Sequence, residues 1–191
     1  MEILAQGAEA VIRKDGKRVI KDRIEKKYRH PELDERLRKR RTQLEARLLE
    51  KASGVCEVPG NVKVDKTKIS MDFVDREIIA KNLKVETCAK LGEIVAKLHG
   101  IGVTHGDLTT SNVLEGPVLI DFGLAKNTSR VEDFAMDIHL FKSCLISRHP
   151  SIAEKCFDSF WKNYSKNFGR ADEVVQRIDE IEKRGRYHIR D

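Results

Sequence analysis

The string His105-Gly106-Asp107-Leu108-Thr109-Thr110-Ser111-Asn112, with Asp121-Phe122-Gly123 starting nine residues after its asparagine, constrains this chain more than any other feature. An Asp and an Asn five residues apart, then a second Asp, are the residue types that move the terminal phosphoryl group of ATP. One carboxylate orients the acceptor while the other oxygen ligands hold Mg²⁺ against the phosphates. The spacing assigns Asp107 to the acceptor and Asn112 and Asp121 to the metal. Val113-Leu114 and Val118-Leu119-Ile120 flank Glu115-Gly116-Pro117, which predicts two short strands joined by a tight turn. Such a hairpin presents Asn112 at one end and Asp121 at the other, near enough to share a cation. Taken singly, these residues also cap turns and start loops; their pairing at this spacing is what points to chemistry.

A centre of this kind needs a lysine on the phosphates and an acid to hold that lysine. Val19-Ile20-Lys21, after the turn Lys14-Asp15-Gly16-Lys17, reads as a third strand ending in such a lysine, although a solvated strand lysine fits the same residues. Leu33, Leu37, Leu44, Leu48 and Ala52 recur at steps of four or seven and predict one apolar helical stripe. Glu45 lies beside it as the partner acid, with Glu50 as an equal competitor on position alone. Gln6-Gly7-Ala8-Glu9-Ala10-Val11 opens the chain as a phosphate flap with a single glycine, Val11 being placed to pack on a flat adenine. Ile69 to Val74 reads as a strand with Met71 behind the nucleotide and the Asp72–Phe73 backbone offered to the adenine edge, or as a plain core strand.

These residues carry a resemblance. The chain resembles the atypical serine/threonine kinase or ATPase subunit of the KEOPS tRNA-modification complex, the PRPK family, of archaeal type, over essentially its whole length. The specific part is the run from His105 to Asn112, where ordinary protein kinases have an Arg at the position of Gly106 and a Lys at that of Thr109. The Gln6 to Ala10 start, Arg41 to Arg47 around Glu45, and Gly185-Arg186 add to it. It implies a minimal α+β, protein-kinase-like two-lobed fold in one domain, residues 1–191. The strand-rich lobe would be about 1–75, the helical lobe about 76–191, and a basic tail 183–191. ATP and Mg²⁺ are implied between the lobes, with Lys21, Glu45 and Asp107 catalytic, and Glu45 is favoured over Glu50. The implied activity is autophosphorylation, on Thr128, Ser129 or a flap hydroxyl, or ATP hydrolysis, in support of threonylcarbamoyladenosine formation on tRNA. The implied partners are a sugar-kinase-like catalytic subunit, other KEOPS subunits and tRNA. Two alternatives stay open: a nucleotide-binding scaffold without turnover, and a small-molecule phosphotransferase, since His-Gly-Asp with a later Ile-Asp is also the pattern of aminoglycoside and choline kinases. With 191 residues and no Ala-Pro-Glu after Gly123, the segment that docks peptides in ordinary protein kinases is missing or reduced.

There is no run of eighteen apolar residues and no apolar amino-terminal signal, so the expectation is a soluble, cytoplasmic chain with no membrane partner. Cys56, Cys88, Cys144 and Cys156 lie far apart and suggest neither a zinc site nor a disulfide framework. The net charge of +6 is concentrated in Arg36 to Arg41 and in Lys183-Arg184-Gly185-Arg186 with Arg190. Two such clusters read as a polyanion surface, or as the solvated faces of charged helices. Three amphipathic helices complete the chain. Leu91, Ile94, Val95 and Leu98 mark the first, Phe157, Phe160, Trp161 and Tyr164 the second, and Val174, Val175, Ile178 and Ile181 the third.

Overall fold

A computed structural model describes residues 1–187, with side chains to residue 184. Arg190 and the end of the basic tail lie outside the described residues. The chain forms two compact units, Met1–Asp75 and Arg76–Asp191.

In the first unit, β1 (Glu2–Gln6), β2 (Ala10–Asp15), β3 (Arg18–Arg23), β4 (Lys63–Asp65) and β5 (Lys68–Asp72) form an antiparallel sheet in the order β1-β2-β3-β5-β4. The helix α1 (Pro31–Ser53) intervenes between β3 and β4. Pro31 pre-sets its first turn, and Glu32 and Asp34 meet the positive end of the helix dipole there. The predicted leucine stripe is only half right. Leu48 and Ala52 are buried with Leu49, but Leu33 and Leu44 are 40% and 43% exposed. Their place on the inner face is taken by Asp34, Thr42 and Glu45. Polar groups stay buried when paired, and these are: Asp34 binds Arg38 (2.6 Å) and Arg29, and Thr42 donates to the Arg38 carbonyl. Burial pushes the Asp34 carboxyl up, but the bonds from Arg38 and from the Lys26 amide outweigh it and hold the group below its usual range.

The second unit is helical around a small loop platform. Helices α2 (Val85–Gly100), α3 (Val131–Arg148), α4 (Ala153–Asn167) and α5 (Ala171–Tyr187) accompany two short pieces of ladder. The ladder strands are β6 (Val103–Thr104), β7 (Val113–Leu114), β8 (Val118–Leu119) and β9 (Lys126–Asn127), paired β6–β9 and β7–β8. The two-strand hairpin expected around Glu115–Pro117 is β7–β8, with Val113 opposite Leu119. Helices α2 and α4 cross so closely that a Cβ at Gly92 would stand 2.1 Å from the Phe160 carbonyl oxygen, which admits only glycine. Phe141, Phe160, Tyr164, Phe134 and Phe168 form a continuous aromatic core, with Phe141 and Phe160 ring centres 4.7 Å apart. Trp161 is half-buried on the ring of Tyr164. In α5, Val174 and Ile178 are buried whereas Val175 is 38% exposed and lies off the core face.

Candidate functional site

The β2–β3 hairpin carries Lys21 into the first unit's interior, where the residue is 7% exposed. Its Nζ lies 2.8 Å from Glu45 Oε1, so α1 and β3 bring this pair together, while Glu50 is solvent-exposed. Sequence reasoning missed a third member. Arg23, two residues along the same face of β3, donates to Glu45 Oε2 at 2.6 Å, so one buried carboxylate holds two cations. The Arg23 Nε is buried without a partner among the described residues.

The segment Gln6–Val11 runs from the end of β1 through the turn Gly7-Ala8-Glu9 into β2, closed by the Gly7 amide donating to the Ala10 carbonyl at 3.0 Å. Glu9 commits its carboxylate to Arg41 (2.7 Å) and Lys26, and Lys26 also reaches the Ala8 carbonyl. Glu9 is therefore placed as an anchor of the flap to α1. No residue from Gln6 to Val11 has a hydroxyl, which removes the flap as a place for autophosphorylation. Met71 is buried on β5. The amides of Asp72 and Phe73 already donate to the carbonyls of Gly60 (2.9 Å) and Lys17 (2.8 Å), so neither N–H is on offer to an adenine edge. The Asp72 carboxylate accepts from Asn61 at 2.6 Å.

In the second unit, His105–Asn112 is a tightly cross-linked loop. Asn112 Nδ2 donates to both the carbonyl (2.9 Å) and Oδ2 (2.8 Å) of Asp107. Two acceptors fix which end of the amide is nitrogen, so Oδ1 is not the atom bonded to Asp107. His105 Nε2 donates to the Ile120 carbonyl at 3.0 Å, and its Nδ1 accepts the Asp107 amide, which sets the tautomer. Ile120 N donates to the Asn112 carbonyl, which closes the hairpin base between Asn112 and Asp121. Asp121 itself sits at φ 62°, a left-handed conformation uncommon outside glycine, with Gly123 N donating to its Oδ1 at 3.1 Å. A non-glycine residue held in this region marks a position fixed by its surroundings, often for function. The Asn112 amide oxygen and the Asp121 carboxylate are hard oxygen donors of the kind Mg²⁺ takes. Among the described residues no group of three or more His, Cys, Asp or Glu forms a cage.

Three helices converge on this loop through Asp137, whose role sequence reasoning missed. Its Oδ2 accepts the His105 amide at 2.5 Å and its Oδ1 accepts the Gly106 amide at 2.7 Å. His99 on α2 adds a contact at 3.3 Å, and its other ring nitrogen lies 2.9 Å from the Tyr164 hydroxyl on α4. Burial, reinforced by the Asp137 charge, pushes the Tyr164 hydroxyl far up its range, so it stays protonated and donates to His99. The signal was present in the sequence: an Asp between Phe134, Ala135, Ile138 and Phe141 on a core face must have partners. At the far end of α3, Arg148 donates to the Ser111 hydroxyl (2.7 Å) and His149 Nε2 lies 3.1 Å from the Thr110 hydroxyl. Gly106 has φ +78°, and a Cβ there would lie 2.1 Å from the Leu124 carbonyl oxygen. The segment after Asp121 passes so close that the arginine of ordinary kinases has no room at this position. Thr128 is engaged, donating to Asp133 at 2.8 Å.

The family model that matches residues 9–144 is that of the RIO domain. The chain is 38% identical to the KEOPS complex subunit Bud32 of Pyrococcus abyssi, covering 100% of this chain and 98% of that one. It is 40% identical to a probable bifunctional tRNA threonylcarbamoyladenosine biosynthesis protein of Methanosarcina mazei over 97% of this chain, but spans only 36% of that relative's length. Among solved structures it is similar to the Rio2 kinase of Chaetomium thermophilum, with a TM-score of 0.63 at 16% identity, over 98% of this chain and 73% of that one. That enzyme has also been solved as an ADP/Mg²⁺-phosphoaspartate complex. The likeness to these structures bears on the fold.

Proposed function

The chain belongs to the RIO-domain family, and from that membership we propose that it is an ATP-dependent atypical kinase or ATPase that serves a KEOPS-type assembly in making threonylcarbamoyladenosine on tRNA. The observation that carries the catalytic part is the double hydrogen bond of Asn112 to Asp107. It holds the carboxylate in place and leaves the amide oxygen available to a cation, which a loop that merely caps a turn does not require. In this reading Lys21, held by Glu45, orients the phosphates, and Asn112 and Asp121 hold Mg²⁺. The ion, when bound, neutralises charge developing on the phosphoryl oxygens. Asp107 positions the attacking oxygen, that of water or of a Ser/Thr hydroxyl, and takes up its proton as the new phosphorus–oxygen bond forms and the bond to ADP breaks. Asp137 and His105 keep that carboxylate from drifting by fixing the three successive amides of His105, Gly106 and Asp107.

The kinase-like fold and the tRNA-modification names of relatives that match nearly all of this chain support this assignment. The test is Asp107→Ala. Because Asp107 touches the acceptor and not the nucleotide, Mg-ATP affinity is expected to stay within about threefold while turnover, measured with tRNA and the catalytic partner present, falls about 10²–10⁴-fold. Unchanged turnover would reassign the chain as a nucleotide-binding scaffold.

A further inference from the structure

The basic residues of α1 divide into two sets. Arg38, Lys39 and Arg41 have carboxylates at 2.6–2.7 Å, those of Asp34, Glu35 and Glu9. Arg38 and Lys39 thereby pair within α1, with Arg38 also reaching the Arg23 carbonyl on β3, and Arg41 ties the helix to the β1–β2 connection. Arg36, Arg40 and Arg47 are exposed, and among the described residues none has a carboxylate within ion-pair distance. Their spacing of four and seven, with Gln43 between, places them on one line along the helix about 16 Å long. Glu32 and Glu50 lie within one turn of its two ends and still leave it unneutralised. Like charges four residues apart repel and weaken a helix, so a row kept unpaired beside available carboxylates has no role in holding this unit together.

We propose that Arg36, Arg40 and Arg47 form a docking row for the phosphate backbone of tRNA. This rests on the tRNA-modifying reading above. The chemistry favours nucleic acid: guanidinium forks match phosphate oxygens bidentately, the neutral Gln43 adds hydrogen-bonding capacity, and no aromatic residue interrupts the row. Stacking on bases therefore plays no part, and the contact is to backbone and shape. The structure thus shifts the RNA surface away from Arg38, which the fold uses internally.

The experiment measures binding of the full chain to a labelled tRNA from low to moderate salt. Wild type is compared with an Arg36→Glu/Arg40→Glu/Arg47→Glu variant and its Gln counterpart, which guards against misfolding. A charge-matched control carries Lys155→Glu, Lys162→Glu and Lys166→Glu on α4, all exposed. Loss of three phosphate contacts lowers the slope of log affinity against log salt by about 2–3. Both α1 variants should show that drop, with Mg-ATP affinity unchanged, while the α4 control keeps the wild-type slope. Equal slopes in all variants, an equal drop in the α4 control, or no tRNA binding by wild type overturns the row. Unchanged tRNA binding with lost capture on poly-glutamate assigns it to an acidic protein and also overturns the proposal. Absent ATP turnover in wild type with partner and tRNA would instead defeat the functional reading and leaves these binding curves to decide the row.

Discussion

Glu45 shows how much one buried side chain can decide. It is 1% exposed and receives both Lys21 and Arg23, so its charge is matched twice over. Removing one partner of such an arrangement leaves buried charge uncompensated, at about 3–5 kcal/mol, whereas an exposed glutamate is worth within about 0.5 kcal/mol. Glu45→Gln is therefore expected to lower the melting temperature by roughly 5–15 °C and to depress ATP turnover, while Glu50→Gln leaves both near wild type. Thermal melts and turnover assays on the two variants decide between acids that sequence position alone could not separate. Gly106 makes the complementary point, since the departure from the ordinary kinase loop follows from the approach of the Leu124 carbonyl.

Helix α3 holds the His105–Asn112 loop at two places along its length. Asp137, near its start, holds the amides of His105 and Gly106, and its end delivers Arg148 and His149 to Ser111 and Thr110. Burial and then the neighbouring Arg148 charge hold the His149 pKa below 6.5. The folded state thus binds this proton less readily than the unfolded chain, so the contribution is complete above 6.5 and is lost as pH falls toward the lower folded value. Between about pH 7.5 and pH 5.5 the wild-type melting temperature should fall further than that of His149→Gln. Parallel curves would remove His149 from the pH response. Helix α1 teaches a different lesson, because its heptad-like leucines predicted only part of the inner face. Leu44 points outward where Glu45 points in, and the preference came from cations on β3 that a helical wheel does not contain.

Taken whole, the chain matches nearly all of a stand-alone relative and 36% of a bifunctional one, so the same domain exists with and without a covalent tether. A tether raises effective concentration without adding contacts. Under the proposed function, turnover of this chain should rise with added catalytic partner and saturate at the value of an engineered fusion of the two. A plateau more than about tenfold lower would show that the tether contributes geometry as well. No helix among the described residues is long and apolar enough to cross a membrane. The kinase-like fold, the β7–β8 hairpin and the joining of Lys21 to Glu45 and of Asn112 to Asp107 were legible in the chain, because each follows from a motif of contiguous or regularly spaced residues. The partners were not. With 37 basic and 31 acidic residues, the sequence permits far more ion pairs than form. Asp137 finds a loop 31–32 residues away, and Arg38 and Arg36, two positions apart, are turned one into the fold and one to solvent. Local backbone chemistry decides motifs, but charge pairing depends on which groups the tertiary structure removes from water together, and that is settled only in three dimensions.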